Sequence, residues 1–294
     1  VIIYLNGKLI DDDAGLISMN NPGVLQGDGL FETMRAYSGK IFALEKHIDR
    51  LERSAKTIKM QYIPPAEELI NACRSVIDAN RLQSARVRLT VLRSAADEHE
   101  MTVIVTAKEY EEKPENLIRV GIKAITMRGF SSSTDMLATV KSTSYQRLAL
   151  ARRIAESAGC EEAILINEHG NVSEGSYSNF FAIKDHKIIT PPVTDGLLLG
   201  ITRSLVIEIA RENGFEVEER SIAAAQIQAM DELFITNSLI EIMPVSSVNS
   251  SINSTGPGLK SGEISDIMEG AFNSELTIEL RQLYKDYIKK ELGI

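Results

Sequence analysis

The hydrophobic period of this chain switches at Leu44, and the switch decides its fold class. Up to residue 43 the apolar runs are short and β-prone (VIIYL, LFETMRAY and KIFAL), and they meet at the dipeptides Asn6-Gly7 and Ser38-Gly39. Such dipeptides supply the positive φ angles of a two-residue hairpin turn, so β-structure is expected here. From Leu44 the spacing becomes helical. Leu44, His47, Ile48, Leu51, Ala55 and Ile58 fall on one face, with Glu, Lys and Arg opposite. Pro64-Pro65 ends that helix and opens a second, AEELINACRSVIDAN, with Leu69, Cys73, Val76 and Ile77 turned inward. The strands ARVRLTVLRS and EMTVIVTA follow. The polar, proline-punctuated stretch KEYEEKPENL is expected to be a linker near residues 108–118.

Beyond the linker, IRVGIKAIT reads as a strand, YQRLALARRIAESA as a helix, and EEAILIN and SNFFAIK as strands around a turn at residues 168–171. Residues 201–213 form a helix closed by Gly214, AAQIQAMDE a short helix, ELFIT and PVSSV strands, and residues 264–291 a long amphipathic helix. The elements mix without the regular βαβ rhythm of a doubly wound sheet. The expectation is α/β (α+β), with one domain over residues 1–118 and a second over 119–294.

With 294 residues, 44% hydrophobic and 25% charged, the chain has an ordinary globular composition, and a chain this long buries roughly 75% of its unfolded surface. Its 41 acidic and 32 basic residues give a net charge of −9, which argues against a nucleic-acid footprint and for a small-molecule or protein partner. Cys73 and Cys160 form no CxxC, and the four histidines (His47, His99, His169, His186) lack ligand spacing, so neither disulfides nor a metal are expected. The first residues lack a basic segment and no run of about 18 apolar residues occurs, so a cytoplasmic protein without membrane partners is expected.

Common catalytic motifs are missing: there is no GxGxxG after a strand and no GxSxG elbow. TGPGLKSG is similar to a phosphate loop, but Leu259 stands where glycine should precede Lys260, and it reads as a glycine-rich turn. Three clusters keep two readings each. Arg50 in HIDRLERSAK is a boundary residue or an anion clamp. Lys141 in ATVKSTSYQRL is a solvated lysine or a chemical one. Glu174 in NVSEGSYSNFF is a carboxylate in an apolar strand context and needs a cationic partner if turned inward. In LLLGITRS a glycine precedes Ile201-Thr202 at a helix start, where exposed N–H groups suit an anion.

Taken together, GDGLFETMR, HIDRL, the Lys141 segment, EGSYSNFF, TPPVTDGLLLGITR and DELFITNSLIEIMPV resemble the class IV aminotransferases, the fold-type IV pyridoxal-phosphate enzymes. That family includes branched-chain and D-amino acid aminotransferases and 4-amino-4-deoxychorismate lyases. The resemblance implies a small N-terminal α/β domain plus a larger β-rich C-terminal domain, a homodimer, and pyridoxal 5'-phosphate as cofactor. It implies Lys141, 33 residues before Glu174, as the Schiff-base lysine, with Glu174 on the pyridine nitrogen. Arg50, with Ile201, Thr202 and Ser238, would hold the phosphate. Leu198 would pack on the ring and Tyr145 would bond its phenolic oxygen.

The resemblance leaves two reactions. Transamination, in which Lys141 shuttles the proton while the amino group of an amino acid passes to a 2-oxo acid, is the main expectation. The alternative is deoxychorismate lyase, with pyruvate eliminated and Thr33 assisting proton delivery. Thr33 and Asn237 are typical of the lyases, whereas HIDRL, EGSYSNFFAIKD and MDELFIT look like D-amino acid transaminases. Phe31 belongs to the early motif. The short loop RSAADEHE offers only Arg93 and His99, at the wrong spacing for the R-x-H carboxylate trap of those transaminases, so Arg35 and Arg88 are the remaining cations for a substrate carboxylate.

Overall fold

The computed structural model describes residues 1–94, 101–252 and 272–294. The chain divides into two compact units. One comprises Val1–Glu112, Val140–Tyr145 and Lys289–Ile294, the other Lys113–Thr139 and Gln146–Ile288.

The first unit holds a six-stranded antiparallel sheet of β1 (Ile2–Leu5), β2 (Lys8–Asp11), β3 (Gly29–Tyr37), β4 (Lys40–Ile41), β5 (Ala85–Arg93) and β6 (Met101–Glu109). Their order is β2-β1-β6-β5-β3-β4. Both expected hairpin turns are present. Leu5 pairs with Lys8 and Tyr37 with Lys40, and all four turn residues have positive φ, from 46° at Asn6 to 87° at Gly7. That is the I′ geometry, matched to the strands' right-handed twist. The stretch before β3 also contains a 3-10 turn (Asp12–Ala14) and a short helix α1 (Pro22–Leu25), where β-structure was expected. The cause is Asn21, whose side chain accepts the Gly23 N–H, with Pro22 at the first helical position.

Helices α2 (Leu44–Thr57) and α3 (Ala66–Asn80) cover one face of this sheet. Leu30 and Met34 of β3, Val87, Leu89 and Val91 of β5, and Leu44, Ile48, Leu51, Leu69 and Val76 of the helices form the core. Each such burial contributes about 1.5–3 kcal/mol. The strand period of two sends their neighbours to the other face: Phe31, Thr33 and Arg35 on β3, Arg86, Arg88 and Thr90 on β5. The register sets Thr33 opposite Arg88 and Phe31 opposite Thr90.

The second unit begins with α4 (Glu115–Val120), inside the expected linker, and β7 (Ile122–Arg128) starts later than the sequence suggested. Pro114 opens that helical turn and Gly121, at φ 76°, closes it. There follow α5 (Gln146–Ser157), β8 (Glu162–Ile166), β9 (Val172–Gly175), β10 (Asn179–Lys184), β11 (Lys187–Thr190), α6 (Ile201–Glu212), β12 (Val217–Glu219), β13 (Glu232–Asn237), β14 (Glu241–Ile252) and α7 (Glu275–Leu292). The strands make an eight-stranded mixed sheet, β12-β11-β10-β13-β14-β7-β8-β9. Phe180 and Leu233 lie in its core with no exposure, and Phe181 stacks on Phe234 at 4.7 Å. Ala151 and Ala155 let α5 lie close on Ile125 and Ala163.

AAQIQAMDE gives a 3-10 helix (Ala224–Ala229). The TGPGLKSG segment, the first part of the expected last helix, and His99 lie outside the described residues. Among the described residues no helix is long and apolar enough to cross a membrane.

Candidate functional site

In the first unit the side chains with chemistry converge on Phe31. The segment after Val140 runs along the edge of β3: the Phe31 N–H donates to the Lys141 carbonyl at 3.0 Å, Ser142 bridges Leu30, and the Thr143 N–H donates to the Gly29 carbonyl at 2.9 Å. Thr143 Oγ1 also donates to the Gly27 carbonyl at 2.7 Å. A loop that read as open in sequence is therefore pinned as an irregular strand, and its lysine has a defined place. Lys141 Nζ lies 4.7 Å from the Phe31 ring centre and the Arg88 guanidinium 3.9 Å from it. The Tyr145 ring meets Phe31 edge-on at 5.4 Å. Phe31 is 5% exposed, whereas Lys141, Tyr145, Thr33 and Arg88 are all half-buried. The arrangement combines an amine, a cation that keeps its charge, a phenol and a hydroxyl on one wall.

On the helix side of β3 lies a carboxylate that the sequence reading did not single out. Glu32 has no exposure, and it accepts from Arg50 Nε at 2.8 Å and Nη2 at 2.5 Å, and from His47 Nδ1 at 2.7 Å. Burial raises the Glu32 carboxyl pKa, but Arg50 and His47 outweigh it and bring it down to about 2. Burial lowers that of His47, against the pull of Glu32, so a neutral imidazole donates to the carboxylate. Arg50 and His47 stand three residues apart on α2, one helical turn, which brings both to one carboxylate. Arg50 thus gives Glu32 one edge of a fork that carries five N–H donors. The signal was available in principle: Glu32 sits at an inward position of β3 between Leu30 and Met34.

Arg35, also named from the sequence, lies between the rings of Tyr37 (4.4 Å) and Tyr110 (4.6 Å) and pairs with Glu112 at 2.5 Å. The last two contacts tie β3 to the segment that follows β6.

In the second unit, Glu174 on β9 accepts the Leu198 N–H on Oε2 at 3.0 Å. Two residues later Gly200 leads into α6 with no side-chain cap, and Ile201 and Thr202 are its first residues. First-turn N–H groups have no partner within a helix, so this start is a set of donors for an anion. Asn237 at the end of β13 uses its side chain locally. Nδ2 donates to the Tyr177 carbonyl at 3.1 Å, and Oδ1 accepts from Leu239 (2.9 Å) and Ile240 (3.0 Å). Ser238, half-exposed, stands in the turn so formed.

The model of the family described as Amino-transferase class IV matches residues 29–248. The chain belongs to the class IV aminotransferase family. A relative named "Putative branched-chain-amino-acid aminotransferase" in Methanocaldococcus jannaschii is 36% identical, covering 99% of this chain and 98% of the relative. The D-alanine aminotransferase of Bacillus licheniformis is 31% identical over 93% of this chain and 98% of its own. The crystal structure of the T.th. branched-chain amino acid aminotransferase with pyridoxamine 5'-phosphate superposes with a TM-score of 0.85, at 28% identity over 98% of this chain and 93% of that one. This chain is accordingly an enzyme of the aminotransferase class with the type IV fold, from a family that uses pyridoxal phosphate.

The residues present in this class IV aminotransferase fit that group. The uncapped α6 start suits a phosphate, the carboxylate of Glu174 suits a protonated pyridine nitrogen, and Lys141 is a lysine held by backbone bonds on both sides.

Proposed function

We propose that the chain transfers the amino group of an amino acid to a 2-oxo acid with pyridoxal 5'-phosphate held by Lys141. The observation that carries this reading is the convergence of Lys141 Nζ and the Arg88 guanidinium on one aromatic ring. An amine that moves a proton and a cation that binds a carboxylate are the two groups that handling an α-amino acid requires. When bound, pyridoxal phosphate supplies an aldehyde for the amino group and a ring that accepts the electron pair released at the substrate's Cα.

The chain's own residues do the rest. Lys141 would hold the cofactor through Nζ and, once the substrate's amino group has replaced it there, would carry the Cα proton on the freed amine. Glu174, fixed by the Leu198 N–H, holds the proton on the pyridine nitrogen. The N–H groups of Ile201 and Thr202, the hydroxyls of Thr202 and Ser238, and Arg50 bind the phosphate. Tyr145 bonds the phenolic oxygen and Leu198 covers the ring. Arg88 takes the substrate carboxylate in preference to Arg35, which is engaged by Tyr37, Tyr110 and Glu112. The exposed apolar side chains Leu16, Met19 and Leu25 support a homodimer.

Thr33, opposite Arg88, favours the lyase as the second reading, since it sets a hydroxyl beside the same wall. The visible spectrum of the cofactor-loaded protein, followed while L- and D-amino acids are added one at a time, separates the two. Loss of the band with one amino acid is the expected result and also gives side-chain class and handedness. A band that survives every amino acid, with pyruvate released from aminodeoxychorismate, assigns the lyase.

A further inference from the structure

One buried amide ties together the parts of the second unit that face the cofactor in the reading above, on which this inference rests. Asn179 opens β10, is 5% exposed, and is paired by its backbone with Thr236 of β13. Its Nδ2 donates to the Leu198 carbonyl at 2.7 Å, and the Leu198 N–H in turn donates to Glu174. Its Oδ1 lies against Gly200, so closely that a Cβ on that glycine would stand 2.0 Å away. The backbone of Gly200 has φ −66° and ψ 139°, angles open to any residue. Crowding by Asn179, not conformational strain, therefore excludes a side chain at the entry to α6.

We propose that Asn179 is a positioning residue that sets the backbone of residues 198–202. Its donor end holds Leu198, and through it the carboxylate of Glu174. Its oxygen end lets Gly200, and so the first N–H groups of α6, approach only to a fixed distance. The spacing between the partner of the pyridine nitrogen and the donors for the phosphate is thus set by a side chain that contacts neither. Asparagine suits this task because aspartate lacks the donor, and glutamine is one methylene too long for the space beside Gly200.

The test compares wild type, Asn179→Ala and Asn179→Asp, each freed of cofactor and titrated with pyridoxal phosphate by fluorescence. The unfolding temperature of the cofactor-free forms is measured alongside. Loss of one buried hydrogen bond on the bound state predicts about tenfold weaker binding for both variants. The double variant Asn179→Ala/Glu174→Gln is expected to lose less than the product of the two single effects, because both act on the backbone of one residue, Leu198. Gly200→Ala should also weaken binding, and Asn179→Ala should partly restore it by removing the clashing oxygen.

Wild-type affinity in Asn179→Ala overturns the proposal, as does a lowered unfolding temperature with affinity unchanged. If Asn179→Ala does not fold, the near-isosteric Asn179→Asp decides in the same way. A wild type that takes up no pyridoxal phosphate overturns the functional reading itself, and the role of Asn179 with it.

Discussion

Glu32 in the first unit and Glu162 in the second are both buried carboxylates, and they are stabilised in opposite ways. Glu32 (0% exposed) is met by the charge of a bidentate Arg50, with the His47 ring as a further donor. Glu162 (1% exposed) is met by dipoles. Its Oε1 accepts the Ala163 N–H at 2.9 Å, the Ser176 N–H at 3.0 Å and the Ser176 hydroxyl, and its Oε2 accepts Ser178 Oγ at 2.8 Å. Arg152 Nη1 stands off at 3.9 Å. Both solutions offset the cost of desolvating a carboxylate, but they fix different things. The charged one fixes a side chain, Arg50, on a helix. The dipolar one fixes backbone, the turn that follows Glu174. Packing there is tight enough that a Cβ on Gly175 would lie 2.1 Å from Ser178 Oγ.

Glu32→Gln leaves Arg50 buried beside a neutral amide and is expected to cost about 3–5 kcal/mol in urea unfolding. Glu162→Gln can keep its oxygen on Ala163 and Ser176, and its NH2 can donate to Ser178 Oγ once that hydroxyl turns round, so the expected cost is only about 1–2 kcal/mol. Equal costs would remove the distinction.

Acid sharpens it further. The unfolded chain protonates Glu32 in the usual carboxylate range, whereas the native chain resists until about 2, because Arg50 and His47 override burial. Its stabilisation is therefore fully present above the usual carboxylate range and lost as pH falls from there toward about 2. The urea midpoint should drop across that window in wild type and drop less in Glu32→Gln. The smallest effect is expected at Arg35. Arg35→Ala should cost about 1 kcal/mol, the scale of its aromatic contacts, and leave KM for the amino acid unchanged. A raised KM would move the substrate carboxylate from Arg88 to Arg35.

Much of the first unit was legible because hairpin turns and the helical period are local: Asn6-Gly7, Ser38-Gly39 and the Leu44–Leu51 face needed no tertiary information. The short α1 and α4 were not, since each rests on one proline and one turn residue rather than on a period. The site divides the same way. Lys141, Glu174 and the Ile201-Thr202 pair stood out through long motifs. Glu32, Glu162 and Asn179 did not, because each looks like an isolated polar residue at the border of an apolar strand. Each has a partner far along the chain: Arg50 is 18 residues from Glu32, Ser176 is 14 from Glu162, and Leu198 is 19 from Asn179. Only the fold brings those pairs within hydrogen-bond reach.

Lys141 is the lysine proposed to bond the cofactor. Borohydride reduction of the pyridoxal-phosphate-loaded protein, followed by peptide mass mapping, tests it most directly. The expected result is a phosphopyridoxyl group on Lys141, with no trapped cofactor and no turnover in Lys141→Ala. Cofactor trapped on any other lysine of the wild-type protein, or turnover that survives in Lys141→Ala, would contradict the claim.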